Sequence, residues 1–249
     1  MKGINAMKTT ELFQNKSVLS FEVFPPKTSV SFDSVRMATE EIAKLNPSYM
    51  SVTYGAGGGT SEYTVAIAEN LKNKFGVTPL AHLTCVSSTK EDVEKKLVEL
   101  KSHGIENILA LRGDIPEGLD PKNMHYSHAK QLIEDIKSYG DFCIGGACYP
   151  EGHPESPSSK KDIEYLKQKV EAGCEFLTTQ MFFDNNILYN FLYRIREAGI
   201  NVPVIAGIMP VTNAKQIKRI CSISDTALPQ RFIRIVDHFG DNPAAMMQA

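Results

Sequence analysis

PLAHLTCVSSTKEDVEKKLVELKSHGIENILAL, residues 79–111, contains the clearest strand–helix–strand pattern in the chain. Its two ends, Pro79–Cys85 and Asn107–Leu111, are apolar on both faces, as strands of a covered parallel sheet must be. Between them, Ser88-x-x-Glu91 is typical of a capping box at the start of a helix. Apolar residues then recur at helical spacing, at Val93, Leu97 and Leu100. The stretch predicts a strand, a helix and a second strand parallel to the first.

The same alternation continues along the rest of the chain. Five more β-rich runs are separated by amphipathic helical stretches: Val18–Phe24, Tyr49–Tyr54, Phe142–Cys148, Phe176–Phe182 and Val202–Ile208. The centres of the seven runs recur about every 31 residues, which is the length of one strand–helix unit. No linker or low-complexity tract divides the chain, so we expect one domain over residues 1–249, with residues 1–16 as an N-terminal extension.

Seven strands are one fewer than a TIM (β/α)8 barrel contains. The run Phe232–Asp237 fits an eighth strand by alternation. It fits a helix equally well, because Pro229 stands where a helix would begin and Ile233, Val236 and Phe239 share a helical face. Periodicity leaves both interpretations open.

The doubly wound alternative lacks its expected motifs. There is no G-x-G-x-x-G after the first strand, and no G-x-x-x-x-G-K-[ST] occurs in the chain. The segment Gly55–Gly59 follows the second strand but fits neither fingerprint. It is either a loop whose backbone amides approach a phosphate group or a flexible connection.

Composition excludes several classes of function. The chain has 249 residues with 27 basic and 29 acidic side chains, a formal net charge of −2, which is no basis for binding nucleic acid or an anionic membrane. No apolar stretch approaches the roughly 18 residues of a membrane helix, and Met1–Phe13 lacks the apolar core of a signal peptide. The five cysteines include no C-x-x-C pair, which speaks against a disulfide framework or a zinc ribbon. We expect a cytoplasmic protein.

Polar residues stand at the carboxyl ends of most predicted strands. They are Glu22, Thr53, Tyr54, His82, Thr84, Arg112, Asp114, Tyr149, Glu151, His153 and Gln180. In a parallel barrel these ends meet at one mouth, where barrel enzymes keep their active sites. Glu22 lies inside the apolar run VLSFEVFPP, so we expect a buried carboxyl group with a raised pKa. Metal-ligand motifs, a lysine within a strand and a G-x-S-x-G elbow are all missing, so the residues alone predict a barrel enzyme with a buried acid.

Seven segments together resemble one family. They are SFEVFPPKT (20–28), SVTYGAGG (51–58), AHLTC (81–85), LALRGD (109–114), CYPEGHPE (148–155), TTQMFFD (178–184) and GIMPVTN (207–213). In this order and spacing they are similar to the bacterial-type catalytic domain of methylenetetrahydrofolate reductase. The resemblance implies a TIM barrel that holds FAD non-covalently and takes hydride from NADH or NADPH. It implies a ping-pong reduction of 5,10-methylenetetrahydrofolate to 5-methyltetrahydrofolate, and a homo-oligomer with no nucleic-acid, membrane or metal partner.

The resemblance also implies roles for individual residues. Glu22 matches the general acid that protonates the folate nitrogen, and Asp114 matches the aspartate that tunes the flavin and stabilises the cationic folate intermediate. Gln180 and Gln216 match folate-contacting positions, and Thr53 matches a position that contacts the nicotinamide. The positions that match cofactor contacts are Thr53, Tyr54, Ala56, His82, Arg112, Gly113, Asp114, Ala129, Tyr149, His153, Ser156, Asp162, Tyr165 and Lys169.

The chain departs from the family pattern at two places. Around Tyr165 and Gln168 the family has more amide and basic character. The family also continues for about another 45 residues, with the eighth strand and helix and a folate-contacting arginine. We therefore expect a TIM barrel lacking the eighth strand and helix in this chain, with residues 229–238 helical. A different barrel flavoenzyme, similar to proline dehydrogenase, and an inactive truncated relative are the two alternatives, and the choice between NADH and NADPH stays open.

Overall fold

The structure is a computed structural model that describes residues 7–14, 17–26, 28–54, 61–116, 118–120 and 124–248. Seven strands alternate with helices along the chain. The strands are β1 (Ser20–Val23), β2 (Tyr49–Val52), β3 (Thr78–Thr84), β4 (Asn107–Leu111), β5 (Cys143–Cys148), β6 (Phe176–Thr179) and β7 (Val204–Ile205). The helices are α1 (Thr9–Leu12), α2 (Phe32–Ala43), α3 (Ser61–Phe75), α4 (Lys90–Ser102), α5 (Ala129–Tyr139), α6 (Ser159–Glu171), α7 (Asn185–Glu197), α8 (Ala214–Ser224), α9 (Gln230–Phe239) and α10 (Pro243–Met246).

The strands follow one another in sequence order, β1 to β7, in one sheet. The registers described are parallel, with Glu22 opposite Ser51 and His82 opposite Leu109. All seven predicted runs form strands, which confirms the α/β class, although most strands are shorter than the runs. The run Phe232–Asp237 lies in α9, which begins after Pro229, so the helical interpretation is confirmed. In the part of the chain that the structure describes, no strand follows β7.

The chain divides into two compact units. The first comprises Met1–Gly146 and Lys169–Phe176, and the second comprises Ala147–Gln168 and Leu177–Ala249. The division passes through β5, α6 and β6. The prediction that the chain forms one domain stays a prediction.

In the first unit, the N-terminal segment is held by a buried asparagine. Asn107, the first residue of β4, accepts a hydrogen bond from the Thr9 amide at 2.7 Å. Its side-chain amide donates to the carbonyl groups of Met7 at 3.1 Å and Pro79 at 3.3 Å. Thr9 and Asn107 are both buried. The described part of the predicted N-terminal extension is therefore fixed to the amino end of β4.

A glycine in β5 makes room for an aromatic contact in the same unit. A Cβ atom at Gly145 would lie 2.3 Å from the Phe176 ring, so only glycine fits beside that ring. The ring of Phe13, which follows α1, packs edge-on against Phe176 with 5.7 Å between centroids. The N-terminal segment thus extends the core at the amino ends of the strands.

The second unit has its own small core. Ile217, Val236 and Met246, from α8, α9 and α10, are buried against one another. The rings of Phe183 and Phe232 pack nearby at 5.4 Å between centroids. These contacts place the apolar face of α9 inward, which explains why its pattern resembles both a strand and a helix.

The capping box of α4 lies one residue later than predicted. Thr89 Oγ1 accepts from the Asp92 amide at 3.2 Å, and Asp92 Oδ2 accepts from the Thr89 amide at 3.0 Å. The Ser88 amide donates instead to the Cys85 carbonyl at 3.1 Å, so Ser88 belongs to the turn after β3. The prediction that Ser88 and Glu91 form the capping box of α4 was wrong, because Ser88 takes part in the turn after β3 instead.

Two further findings concern the whole described part of the chain. None of its helices is both long and apolar enough to cross a membrane. The five cysteines are free thiols, four of them buried.

Candidate active site

Glu22 lies on β1, with its carboxyl group facing two neighbouring strands. Ser51 Oγ of β2 donates to Glu22 Oε2 at 3.4 Å, and His82 Nε2 of β3 lies 3.5 Å from the same oxygen. Burial raises the pKa of the Glu22 carboxyl group, and the hydrogen bond from Ser51 opposes that rise. The predicted direction of the pKa shift is therefore confirmed.

The prediction that the Glu22 carboxyl group is buried was only partly right, since 44% of the side chain is exposed. Among the described residues, Ser51 of β2 and His82 of β3 lie against Oε2, and part of the Glu22 side chain stays accessible. A partly desolvated acid in this setting holds its proton to a higher pH than an ordinary glutamate and can still reach a bound molecule.

His82 is a neutral imidazole in this setting. Its side chain is 8% exposed, and burial lowers its pKa to about 4. Its contact with Glu22 is therefore not an ion pair at neutral pH. Nε2 is buried and has no hydrogen-bond partner among the residues that the structure describes. Such an atom fits a polar group of a bound molecule, since an unpaired buried nitrogen is costly.

Thr53, at the end of β2, is held by two backbone hydrogen bonds. Its amide donates to the Val23 carbonyl at 2.9 Å, and its carbonyl accepts from Thr64 Oγ1 of α3 at 2.9 Å. Thr53 and Tyr54 are both half-buried. Ala56 and the segment Gly55–Gly59 lie outside the described residues.

The residues after β4 form a tight turn against β3. The Arg112 carbonyl accepts from the amides of Cys85 at 3.1 Å and Val86 at 2.8 Å. Gly113 has φ +87°, and a Cβ atom there would lie 3.1 Å from Thr84 and Val86, so this position requires glycine. Arg112 is half-buried and Asp114 is exposed, directly after the turn. The turn therefore presents a guanidinium group and a carboxylate at the carboxyl end of β4.

Ala129 is the first residue of α5, where backbone amides without helical partners carry partial positive charge. The Gln131 side chain accepts from the amides of Ser127 at 2.7 Å and His128 at 3.0 Å. The amides at the start of this helix thus have an ordered geometry, with Ala129 among them.

In the second unit, the segment after β5 is folded on itself. The rings of Tyr149 and His153 pack edge-on at 4.6 Å between centroids. Ser156 Oγ donates to Asp162 Oδ1 of α6 at 2.9 Å. Tyr149 therefore contacts His153, and Ser156 contacts Asp162. All four residues are among the predicted cofactor contacts.

The remaining positions on α6 lie further along that helix. Tyr165 is 40% exposed, and Lys161 Nζ stands 5.4 Å from the centre of its ring. Lys169, in the last turn of α6, belongs to the first unit. Its predicted contact with the cofactor stays a prediction.

The two predicted folate-contacting glutamines differ in their surroundings. The Gln180 amide donates to the Cys148 carbonyl at 2.7 Å, and its side-chain oxygen accepts from the Met181 amide at 2.9 Å. Gln180 is half-buried and thereby held at the end of β6. Gln216 is exposed in the first turn of α8, where its amide donates to the Asn213 cap at 2.9 Å.

Two residues near these positions were not among the predicted site residues. Ser51 lies two residues before Thr53 on β2, so strand periodicity places both on one face, and the register puts Ser51 opposite Glu22. The two-residue period of the β2 strand is the sequence signal that could have identified Ser51 as a site residue. Glu151 Oε2 accepts from the Ala227 amide at 3.0 Å, so this strand-end carboxylate anchors the loop between α8 and α9. Among the described residues, no group of three acidic, histidine or cysteine side chains could hold a metal ion.

Comparison with known families identifies the chain. The model of the methylenetetrahydrofolate reductase family matches residues 7–249. The chain belongs to the methylenetetrahydrofolate reductase family. It is 36% identical to the 5,10-methylenetetrahydrofolate reductase of Escherichia coli K12 over 229 residues, which cover 92% of this chain and 76% of that protein.

Members of the family from plants and yeast are longer. Methylenetetrahydrofolate reductase (NADH) 1 of Arabidopsis thaliana is 36% identical over 261 residues, covering 99% of this chain and 44% of that protein. Methylenetetrahydrofolate reductase 2 of Saccharomyces cerevisiae is 38% identical over 252 residues, covering 95% of this chain and 42% of that protein. The chain thus spans less than half the length of these relatives.

A solved structure shows the same fold at low sequence identity. It is an uncharacterised protein from Clostridium thermocellum that binds two copies of 5-methyl-5,6,7,8-tetrahydrofolic acid. The TM-score is 0.67 with 12% sequence identity, and the match covers 97% of this chain and 84% of that one. At this identity the likeness concerns the fold alone.

Proposed function

We propose that the chain reduces 5,10-methylenetetrahydrofolate to 5-methyltetrahydrofolate with NADH or NADPH, in a ping-pong scheme with bound FAD. The family match over residues 7–249 is the observation that carries this proposal. The raised pKa of Glu22 supports it, because opening the folate ring needs a proton donor at neutral pH.

The described residues fit a flavin nucleotide. The buried Nε2 of His82 needs a polar partner that a ligand would supply. The amino end of α5, where Ala129 is the first residue, carries partial positive charge that suits a phosphate group. The second unit, taken by itself, offers an aromatic face and polar groups that suit a flavin nucleotide, at Tyr149, His153, Ser156 and Asp162. FAD, when bound, supplies the hydride transfer between nicotinamide and folate.

The proposed roles of the chain's own residues are those that the family resemblance implies. The Glu22 carboxyl group gives its proton to the folate nitrogen as the five-membered ring opens, and is left as a carboxylate. The exposed Asp114 carboxylate stabilises the cationic carbon–nitrogen double bond that this opening creates. Gln180, held by its own backbone contacts, hydrogen-bonds the folate, with Gln216 as a second contact. Thr53, fixed by two backbone hydrogen bonds, positions the nicotinamide.

The test separates the two half-reactions. Glu22→Gln removes the proton donor, so folate reduction should fall by roughly 10²–10⁴-fold, while flavin reduction by the nicotinamide should persist. Glu94→Gln, an exposed change on α4, is the matched control and should leave both unchanged. Equal loss of both half-reactions in Glu22→Gln would show that Glu22 shapes the site instead. Release of FMN instead of FAD from the heated protein would overturn the cofactor assignment.

A further inference from the structure

The Glu22 carboxyl group has unequal surroundings on its two oxygens. Ser51 Oγ lies 3.4 Å from Oε2, and His82 Nε2 lies 3.5 Å from that same atom. No hydrogen bond from a described residue reaches Oε1. Because the strand register places Ser51 directly opposite Glu22, the side of the carboxyl group that faces β2 is set by the backbone.

We propose that Ser51 is a positioning residue for Glu22, whose hydroxyl group donates to Oε2 and thereby keeps the acidic proton on Oε1. This inference rests on the proposed role of Glu22 as the proton donor. In a protonated carboxyl group one oxygen is a carbonyl and the other carries hydrogen, and the carbonyl oxygen is the better acceptor. A donor fixed at Oε2 therefore makes Oε2 the carbonyl oxygen. The proton then stands on the oxygen that has no hydrogen-bond partner among the described residues, where it is able to meet the folate nitrogen.

Two titratable groups, His82 and Tyr49, carry no charge at neutral pH. His82, on β3, is neutral above about pH 4 because burial lowers its pKa to about 4. Tyr49, on β2, also senses the charge of Glu22, and burial above all raises its pKa, so it stays neutral too. Ser51 is itself 7% exposed, so water cannot easily replace its hydroxyl group as a donor. The Ser51 hydrogen bond is thus the main polar contact that distinguishes the two oxygens.

Infrared titration measures this effect without turnover. The band of the protonated Glu22 carboxyl group is identified by its loss in Glu22→Gln, and its pH midpoint is followed in each variant. Ser51→Ala should raise that midpoint by about 0.5–1 pH unit, which is the roughly 3–10-fold change in proton affinity expected from losing one hydrogen bond to a charged group. Ser51→Cys keeps the size of the side chain but has only a weak donor, so the pH midpoint should rise here too. Ser51→Thr keeps the hydroxyl group, so its midpoint should equal that of the unmodified protein. Ser102→Ala, an exposed serine on α4, is the control.

The same variants are then tested in the folate half-reaction. Ser51→Ala should lower its rate about 3–10-fold at a pH where Glu22 is fully protonated, and flavin reduction by the nicotinamide should not change. An unchanged infrared midpoint in both Ser51→Ala and Ser51→Cys would overturn the inference. If Glu22→Gln itself leaves folate reduction intact, the proposed acid is wrong, yet the infrared midpoint still reports whether Ser51 acts on Glu22. The two failures are therefore distinguishable.

Discussion

Replacing Asn107 with alanine should weaken the attachment of the N-terminal segment to the first unit. The side chain is buried and makes three hydrogen bonds, to the Thr9 amide at 2.7 Å and to the carbonyl groups of Met7 at 3.1 Å and Pro79 at 3.3 Å. The buried Thr9 amide would lose its partner, and an unpaired buried donor costs about 1–3 kcal/mol. The two carbonyl groups add a smaller amount, so we expect the free energy of unfolding to fall by about 2–4 kcal/mol.

Equilibrium unfolding in urea measures this change. Asn107→Ala should lower the midpoint with little change in the slope. Asn201→Ala is the matched control, because Asn201 is exposed and its side chain makes a single 3.4 Å hydrogen bond to the Gly199 carbonyl. The control should change the free energy of unfolding by no more than about 0.5 kcal/mol. A loss below about 1 kcal/mol in Asn107→Ala would refute the reasoning, since it would mean that water or a neighbouring group replaces the side chain.

Three further predictions concern single contacts. The unfolded chain binds a proton on His82 below about pH 6.5, whereas the folded pKa of about 4 delays that binding. The free energy of unfolding should therefore fall by up to about 3 kcal/mol as the pH is lowered from 6.5 to 4. In urea unfolding measured at these pH values, His82→Gln should reduce this decrease, whereas His125→Gln should not. Tyr126→Phe removes the buried 2.7 Å hydrogen bond to Asp135 and should cost about 1.5–3 kcal/mol in urea unfolding, against near zero for the exposed Tyr193→Phe. Thr89→Ala removes the cap of α4 and should cost about 1 kcal/mol, whereas an equal loss in Ser88→Ala would contradict the observed capping box.

Strand periodicity predicted much of the fold because the buried strands carry apolar residues on both faces. It located all seven strands, and it placed Glu22 and His82 at the carboxyl ends where the structure finds them together. It could not choose between strand and helix for α9, whose short apolar pattern fits both periods. That choice came from the resemblance and from the contacts of Val236 with α8 and α10.

Other features depend on contacts that local sequence does not report. The partial exposure of Glu22 depends on its neighbours in the folded chain, Ser51 and His82, which lie 29 and 60 residues further on. The cap of α4 moved to Thr89 because the turn after β3 uses Ser88. Asn107 was not singled out in the sequence, because two of its three partners, Thr9 and Met7, lie 98 and 100 residues earlier in the chain.

The attachment of the N-terminal segment has a consequence for how the protein is made. The Thr9 amide binds a side chain 98 residues further on, and Lys8 pairs with Asp141, 133 residues further on. A ribosome adding about 5–20 residues per second needs roughly 7–27 s to make the 133 residues from Lys8 to Asp141. Until Asn107 and Asp141 have been made, Thr9 and Lys8 lack these partners, so the native contacts of residues 7–13 cannot form before the strand–helix units that lie between them.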